Sequence, residues 1–495
     1  MPISDALSPI KPAVIAGALV ALGVAGWWAR LRIFTIVISI VVLLATAAAL
    51  AAWSPEQALR VASAYVSRTV CSGTFVSGLD PEQIYVENVR ATPAFSLLEF
   101  ALRYEVDRMR REVTTTIAGG FVSRAVFRNG LGCRLVNGGA PLASASADLT
   151  ASAPGTPPSL PEIAGPAAVT PASDAIHAAL DRAFAEPHRS PRRRTKAIVI
   201  VRDGRVIAER YAPGYGIDTP MIGHSLTKSV ISTLIGILAR EGRLSPDQLA
   251  PIAAWRGADD HRHNITIDNL LRQNSGLDID ETGSGFDPVS RMLMLEPDMA
   301  GFAEAVPLAA TPGSRWRYTS GNYIILSRIL RDAVGGNADA VLRFARQELF
   351  DPLGMRGVTL EFDATGTPIG STFMFATARD WARLGMLYLD DGIVDGRRIL
   401  PEAWVQYVTL PTTDSRYGYG AGWWTSLTLT GRDGKGTSLP PGAFFANGRL
   451  GQFVIVVPSE RLVVVRLGLA QEAGLGDDGS IAPLLSDVIT AIHFQ

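Results

Sequence analysis

The sequence predicts an α+β protein with a mainly antiparallel sheet flanked by helices and an all-helical region. Membrane helices and a small α+β domain are expected before it. Strand patterns stand at both ends of the C-terminal part, in KAIVIVRDGRVIAERYA near its start and in GQFVIVVPS and RLVVVRLGL near its end. Helical patterns dominate the stretch between them. Both ends are therefore expected to contribute strands to one sheet, and Asp203-Gly204 is a strong hairpin signal.

Two apolar runs without charged residues, Ala13 to Trp28 and Ile33 to Trp53, lie near the start of the chain. The second has about the 20 residues that a membrane-spanning helix needs, and the first is slightly shorter. Either both runs span as a hairpin or only the second does; a third interpretation is a signal peptide cleaved near ATAAALAA. Arg30 and Arg32 between the runs belong on the cytoplasmic side. Residues 1–53 are therefore predicted to anchor the chain in a bacterial inner membrane, with the rest on the periplasmic side.

Residues 54–136 are predicted to form a small α+β domain outside the cytoplasm. A helical pattern follows Ser54, and ALRYEV, EVTTTIAG and SRAVFR have the pattern of short strands. The two cysteines of the chain, Cys71 and Cys133, lie here and are expected to form a disulfide in an oxidising compartment. The alternative is a pair of buried thiols. Residues 137–173, rich in Ala, Pro, Ser and Gly, are predicted to be an extended linker or surface wrap, and residues 174–495 a full-sized domain.

The net charge and the small number of lysines restrict the classes of function that are expected. The net charge of −1 gives no reason to expect a nucleic-acid partner. Among 46 Lys and Arg residues, the lysines are only Lys11, Lys196, Lys228 and Lys435. A lysine in this chain is therefore informative, because an arginine in its place would not give up its proton.

Lys228 lies in the stretch GHSLTKS, three residues after Ser225. Apolar residues recur at helical spacing after Ser225, so both side chains are expected on one face at the start of a helix. A buried lysine loses its proton more readily and can then act as the base for a serine nucleophile. The pair is predicted to be catalytic, and the alternative is a serine that only caps the helix.

These residues and their companions resemble the serine β-lactamase and penicillin-binding-protein superfamily. Within it the chain is similar to the class C β-lactamase and esterase branch, in particular to the 6-aminohexanoate-dimer hydrolase type. The likeness covers Lys196 to Gly468 and implies a β-lactamase-like fold. It also implies that Tyr318, in the stretch RYTSGNY, is a proton shuttle and that Ser320 lies beside it in the site.

The resemblance aligns Ala446-Asn447-Gly448 with the Lys-Thr-Gly strand of the family. The lysine that would hold a substrate carboxylate is absent, which argues against penicillins and D-alanine termini and favours esters and linear amides. The backbone N–H groups of Ser225 and Arg449 would form the oxyanion hole, and the Arg449 side chain is a candidate replacement for the missing charge. The candidate substrate-contacting residues are Ser320, Asn447, Gly448, Tyr417 and Trp424.

The predicted function is hydrolysis of a small-molecule ester or amide through an acyl-enzyme on Ser225, with no cofactor and no metal. The alternatives are a non-hydrolytic penicillin-recognising or cell-wall-binding module, or a peptidoglycan DD-peptidase or β-lactamase. A Ser-His-Asp triad through His224 is not favoured, because neighbours in a helix face different directions. A metal site in the stretch ADDHRHN lacks the helical spacing of zinc hydrolases.

Overall fold

The computed structural model describes residues 34–36, 38–41, 55–136, 160–188, 192–257, 259–426, 428–430, 436–470 and 481–494. The chain divides into two compact units, Met1–Ala58 and Leu59–Gln495. The apolar runs predicted to enter the membrane lie almost wholly outside the described residues. Within the residues that are described, no helix has both the length and the apolar character needed to cross a bilayer.

The part before residue 137 combines short helices with one antiparallel sheet. Its helices are α1 (Pro55–Phe75), α2 (Pro81–Ile84), a π-helix (Tyr85–Arg90) and α3 (Pro93–Ser96). The sheet has the order β1-β2-β3-β4, formed by β1 (Leu102–Asp107), β2 (Glu112–Ile117), β3 (Phe121–Arg128) and β4 (Gly132–Leu135). Strand β2 alternates half-buried and buried residues, as expected for a sheet with one face on a core. A disulfide joins Cys71 in α1 to Cys133 in β4, the pairing expected from the sequence.

The larger part begins at residue 174 and starts and ends with a helix. Its helices are α4 (Asp174–Phe184), α5 (Leu226–Arg240), α6 (Ile267–Leu271), α7 (Pro288–Leu295), α8 (Met299–Glu304), α9 (Ser320–Val334), α10 (Ala338–Ala345), α11 (Asp351–Leu353), α12 (Ala378–Leu389), α13 (Trp404–Thr409) and α14 (Ile481–His493). Its strands are β5 (Thr195–Arg202), β6 (Arg205–Tyr211), β7 (Met221–Ile222), β8 (Thr359–Leu360), β9 (Met374–Ala376), β10 (Ile393–Val394), β11 (Arg397–Arg398), β12 (Thr428–Thr430), β13 (Gly436–Ser438), β14 (Phe444–Gly448), β15 (Gln452–Val457) and β16 (Leu462–Gly468).

A five-stranded antiparallel sheet of order β14-β15-β16-β5-β6 is the centre of this part. Strand β16 pairs with β5, so late and early segments of the domain share one sheet, as the sequence predicts. Strands β14, β15 and β16 are buried along their whole length. Helix α12 packs on β15, β16 and β5, and α4 contacts both β5 and α14. The predicted α+β architecture, an antiparallel sheet flanked by helices, is confirmed.

Helices α6 to α11 form the predicted all-helical region, and α9 lies at its centre. Every residue of α9 from Ser320 to Ser327 is buried. Helix α9 contacts α5, α6, α8 and α10. Thr319 caps the helix by accepting a hydrogen bond from the backbone N–H of Gly321, which supplies one of the partners that a helix start lacks. The first turn of α9 lies beside α5, because Nζ of Lys228 in α5 is 3.2 Å from Oγ of Ser320.

One buried carboxylate connects α1 and β4 to the larger part. Glu361, which follows β8, accepts hydrogen bonds from Nε of Arg68 at 3.0 Å and from Oγ of Ser72 at 2.6 Å. It also accepts one from the backbone N–H of Cys133 at 2.9 Å. The side chains of Arg68 and Glu361 are 1% and 0% exposed. This interface is therefore polar at its centre and has no contact with water there.

Residues 160–173, the described end of the predicted linker segment, lie along the edge of β6. The backbone N–H of Val206 donates to the carbonyl of Ile163, and that of Glu209 donates to the carbonyl of Val169. Leu160 and Ile163 are buried. This end of the segment therefore covers the edge strand, which would otherwise expose unpaired backbone groups.

Candidate active site

A tight strand-to-helix turn positions Ser225. Strand β7 pairs with β9 and ends at Ile222; Gly223 and His224 then turn the chain into α5. His224 has a left-handed φ of +47°, which is uncommon for a residue with a side chain. A Cβ on Gly223 would lie 2.3 Å from Cζ2 of Trp381, so only glycine fits there. Ser225 stands at the N-cap of α5, yet its side chain makes no capping hydrogen bond. The hydroxyl is therefore not occupied as a cap, and the alternative of a purely capping serine is wrong.

The amine of Lys228 lies within hydrogen-bonding distance of this hydroxyl. Lys228 is 1% exposed, and its Nζ lies 3.2 Å from Oγ of Ser225. The same Nζ lies 3.2 Å from Oγ of Ser320 and 2.9 Å from the backbone carbonyl of Ser371. Burial lowers the pKa of Lys228 from its ordinary 10.5 to about 8, while the negative charge of Glu281 acts in the opposite direction. A useful fraction of the amine is therefore uncharged near neutral pH.

Tyr318 covers the other side of this amine. Nζ of Lys228 lies 4.9 Å from the centre of the Tyr318 ring. Burial is the largest cause that raises the pKa of Tyr318 well above its ordinary 10; electrostatic coupling to the Tyr419 phenol and the negative charge of Glu281 raise it further, and a hydrogen bond with Ser225 opposes this. The phenol therefore keeps its proton at neutral pH.

Glu281 joins the site, although the sequence analysis did not single it out. Ser320, in the first turn of α9, donates its hydroxyl to Oε1 of Glu281 at 3.0 Å and its backbone N–H to Oε2. Ser320 is 2% exposed, whereas Glu281 is exposed. Glu281 belongs to the stretch NLLRQNSGLDIDE and follows two other acidic residues, Asp278 and Asp280. No local pattern marks it, because its partner lies 39 residues away in the chain.

The edge strand β14 lies against the turn that carries Ser225 and contacts α5. A Cβ on Gly448 would lie 2.2 Å from the carbonyl oxygen of Gly223, so glycine is required for β14 to approach the Ser225 turn this closely. Asn447 is buried, with Nδ2 3.5 Å from the carbonyl oxygen of Gln452. Arg449, the next residue after Gly448, has an exposed side chain. The three residues predicted from the resemblance thus lie at the strand edge beside the serine.

The rings of Tyr318, Tyr419 and Trp424 pack on one another and form an aromatic wall of the site. The Trp424 ring lies 5.6 Å from that of Tyr318, 4.6 Å from that of Tyr419 and 6.3 Å from that of Tyr417, between centroids. Trp424 is 5% exposed and Tyr417 is 46% exposed. Tyr417 therefore lies at the outer rim, and Trp424 contributes to the wall. Trp423 faces the core instead, where its ring centroid is 4.3 Å from that of Tyr388.

His224 does not form a base for Ser225. Its Nε2 is buried without a hydrogen-bond partner. Burial, followed by the positive charges of Arg449 and Lys228, lowers the pKa of His224 to about 3. The imidazole therefore stays neutral, and among the described residues no carboxylate is bonded to it in the way that a Ser-His-Asp triad requires.

The stretch ADDHRHN forms a 3₁₀ turn, His261–Asn264, capped by Asp260. The Asp260 carboxylate is held by the Arg262 side chain at 2.7 Å. Across the described residues, no group of three or more His, Cys, Asp or Glu side chains is placed to hold a metal ion.

Comparison with known proteins identifies the family. The model of the Beta-lactamase family matches residues 180–478, more than half of the chain. The chain belongs to the Beta-lactamase family. As a member of it, the protein is a serine hydrolase, and the resemblance read from the GHSLTKS and RYTSGNY stretches is confirmed at the level of the family.

The individual proteins that resemble this chain have low sequence identity to it. The 6-aminohexanoate-dimer hydrolase of Paenarthrobacter ureafaciens is 26% identical over 226 residues, which is 43% of this chain and 57% of that hydrolase. The match thus spans little more than half of that relative. A penicillin-binding-protein homologue from Caulobacter crescentus has a TM-score of 0.51 at 20% identity, covering 66% of this chain and 99% of its own. A β-lactamase-like protein from Bacteroides dorei has a TM-score of 0.50 at 19% identity, and the match covers 65% of this chain and 98% of that protein. These two structures share the fold.

Proposed function

We propose that this protein is a membrane-anchored hydrolase that cleaves an ester or linear amide through an acyl-enzyme on Ser225. Lys228 is the base and Tyr318 carries the proton to the leaving group. The observation that supports this most is the fully buried amine of Lys228, 3.2 Å from Oγ of Ser225. A lysine that served only as a surface charge would be solvated or paired with a carboxylate. Lys228 is neither, since its three hydrogen-bond partners in the described part of the chain are neutral oxygens.

Acylation begins when the uncharged amine takes the proton of the Ser225 hydroxyl as Oγ attacks the substrate carbonyl carbon. The carbonyl π electrons move to oxygen, and the backbone N–H groups of Ser225 and Arg449 are the proposed donors to that oxyanion. The close approach of Gly448 to Gly223 supports this pairing. As the tetrahedral intermediate collapses, Tyr318 donates its proton to the leaving alcohol or amine and is reprotonated from the Lys228 ammonium.

Deacylation uses the same groups in reverse order. A water molecule enters the place of the leaving group and gives its proton to Tyr318, which passes a proton on to Lys228. The hydroxide attacks the acyl carbonyl, and the returning Ser225 oxygen recovers its proton from Lys228. The enzyme then has its starting protonation state, and no cofactor enters the cycle.

Two observations support an ester or linear amide as substrate. Ala446 occupies the position where the family has a cation for a substrate carboxylate, so the strand edge carries no charge at that position. The wall formed by Tyr318, Tyr419 and Trp424 is apolar and suits an uncharged acyl or leaving group. The relative from Paenarthrobacter ureafaciens is named as a hydrolase of 6-aminohexanoate dimer, and linear amide cleavage is extended to this chain as part of the proposal.

A reactive-serine probe tests the chemistry. One sample of the purified protein is treated with a fluorophosphonate, and separate unlabelled samples are given a p-nitrophenyl ester, a linear amide dimer or a cephalosporin. We expect labelling of Ser225, located by mass spectrometry, and turnover of the ester or amide that Ser225→Ala abolishes. A folded protein without label at Ser225 would instead be a binding module, and turnover confined to the cephalosporin would make it a β-lactamase.

The anchor and the periplasmic location are a separate part of the proposal. They are supported by the two uncharged apolar runs within residues 13–53 and by the Cys71–Cys133 disulfide, which suits an oxidising compartment. We expect the full chain to remain with bacterial membranes after carbonate washing and a chain starting at residue 54 to be released. An alkaline phosphatase fused after residue 495 reports the side, because it is active only outside the cytoplasm. An inactive fusion would contradict the location.

A further inference from the structure

The hydrogen atoms around Lys228 can be assigned from the chemistry of its neighbours. Glu281 is a carboxylate and only accepts hydrogen bonds, so the Ser320 hydroxyl, 3.0 Å from Oε1, must donate its hydrogen to Glu281. The Ser320 oxygen is then left as an acceptor towards Nζ of Lys228, 3.2 Å away. The carbonyl of Ser371, 2.9 Å from the same Nζ, can only accept as well. Two of the three neighbours of the amine therefore require an N–H from it.

An uncharged amine has two N–H groups and one lone pair. Ser320 and Ser371 take both N–H groups, and so the lone pair must face the third neighbour, Oγ of Ser225 at 3.2 Å. This is the arrangement in which lysine can accept the proton of the serine. A Ser320 hydroxyl without a committed partner has a competing option, because it can donate to the lone pair itself. Lys228 would then turn an N–H towards Ser225, where it cannot act as base.

We propose that Glu281 is a positioning residue that acts through Ser320 and directs the lone pair of the uncharged Lys228 towards Ser225. This inference rests on the proposed function, because it concerns how the same base is oriented. It also gives Ser320 a defined role. An asparagine in its place would offer a carbonyl oxygen that always accepts. A serine hydroxyl accepts from Lys228 only when its own hydrogen is donated to another group, and here Ser320 donates it to Glu281.

Glu281→Gln distinguishes this role from a general effect of charge. The amide keeps the size of the side chain, and its oxygen accepts the backbone N–H of Ser320 while its NH₂ donates to the Ser320 oxygen. The Ser320 hydroxyl then points its hydrogen at Lys228 and captures the lone pair. The negative charge that raises the pKa of Lys228 is removed at the same time. The amine should therefore lose its proton at lower pH and yet be a poorer base.

The experiment measures the rate of fluorophosphonate labelling of Ser225 in the full chain from about pH 6 to about pH 10. For Glu281→Gln we expect the limiting rate at high pH to fall at least about tenfold, which is a part of the roughly 100- to 10,000-fold that a positioned acid–base group contributes. We also expect the acid limb of the profile to move to lower pH. Asp280→Asn is the matched control, since it removes the neighbouring charge, which faces Arg317 at 3.3 Å. Its limiting rate should stay within about twofold of the parent.

A second pair of variants tests whether Glu281 acts through Ser320. Ser320→Ala removes the relay, and so Glu281→Gln should have no further effect on the limiting rate when added to it. The inference would be overturned if Glu281→Gln lowered the limiting rate of Ser320→Ala by a full tenfold. It would also be overturned if Glu281→Gln alone left the limiting rate unchanged. Thermal unfolding of each variant verifies that it is folded. A parent protein that is not labelled at Ser225 would overturn the proposed function itself, and this outcome is distinct from a labelled parent with an unaffected variant.

Discussion

At the scale of single residues, the site depends on one amine kept away from water. Lys228 is separated by only three positions from Ser225, and so the sequence alone predicts that they meet on one helix face. Tyr318 was predicted only through the family resemblance, because nothing local separates it from an ordinary packed tyrosine. Glu281 was missed, since its link to Ser320 depends on where a loop meets the start of α9. Local spacing is readable from a sequence, and contacts between distant loops are not.

Replacing Lys228 by arginine should abolish acylation. The guanidinium keeps its charge at any accessible pH, so it cannot take the proton of Ser225. We expect Lys228→Arg to lose at least about 100-fold in fluorophosphonate labelling, the lower end of what general base catalysis contributes. The control is Lys196→Arg. Lys196 forms an ion pair with Glu87 at 2.6 Å, and an arginine can keep that ion pair because it has the same charge. A folded Lys228→Arg protein that is labelled at the parental rate would disprove the role of the amine.

The depressed pKa of Lys228 should be visible in both activity and stability. Activity requires the uncharged amine, so the rate should rise with pH through a midpoint near 8. In the unfolded chain the lysine keeps its proton up to its ordinary pKa of 10.5. Between these two values the unfolded state holds a proton that the native state lacks, so the free energy of unfolding should increase as pH rises.

Comparison with Lys228→Met isolates this titration. The stability of the parent relative to Lys228→Met should increase by about 3 kcal/mol between about pH 8 and about pH 10.5. Chemical denaturation at several pH values measures this difference. A difference that is flat across the range would mean that Lys228 is not held uncharged in the native state.

At the scale of elements, the cleft is formed where the turn before α5 meets the edge of β14. The apolar pattern after Ser225 predicts helix α5, whereas the strand that carries Asn447 and Gly448 is predicted only through the family resemblance. The reason for the glycine is visible only in the structure, because a Cβ there would lie 2.2 Å from the carbonyl oxygen of Gly223. The left-handed φ of His224 is a second feature that the sequence did not reveal, because histidine adopts this conformation more often than most residues but still at only a minority of positions.

Gly448→Ala should therefore damage catalysis more than folding. The methyl group forces β14 away from the turn and displaces the proposed oxyanion donor that follows it, a loss of about 100-fold or more in kcat. Hydrolysis of a p-nitrophenyl ester measures the change, with KM affected less than kcat. Gly120→Ala is the matched control, because its Cβ would have no atom within 4 Å. Equal losses in the two variants would show that the position of β14 is not what matters.

At the scale of the whole molecule, the packing of α1 and β4 on the larger part depends on Glu361. The sequence predicts the helices and strands on both sides, because their periodicity is local. It does not predict that Arg68, Ser72 and Cys133 all converge on one carboxylate. Such a contact joins residues that are hundreds of positions apart, and no periodicity reports it.

Removing this carboxylate should destabilise the protein strongly. Glu361→Ala leaves the Arg68 charge buried without its partner, which costs about 3–5 kcal/mol. Urea denaturation of the variant measures the loss. The control is Asp390→Ala, whose ion pair with Arg461 is solvent-accessible, with side chains 32% and 50% exposed; it should change stability by less than about 1 kcal/mol. Similar effects of the two substitutions would contradict the importance of the buried contact.

The order of strands in the central sheet also has a consequence for how the protein is made. Ser225 leaves the ribosome long before β14, β15 and β16, which complete the sheet next to β5. A nascent or truncated chain that stops ahead of them has a reactive serine without the strand that closes the cleft. We therefore expect a chain that ends before β14 to be inactive and activity to appear only when the last strands have folded into place.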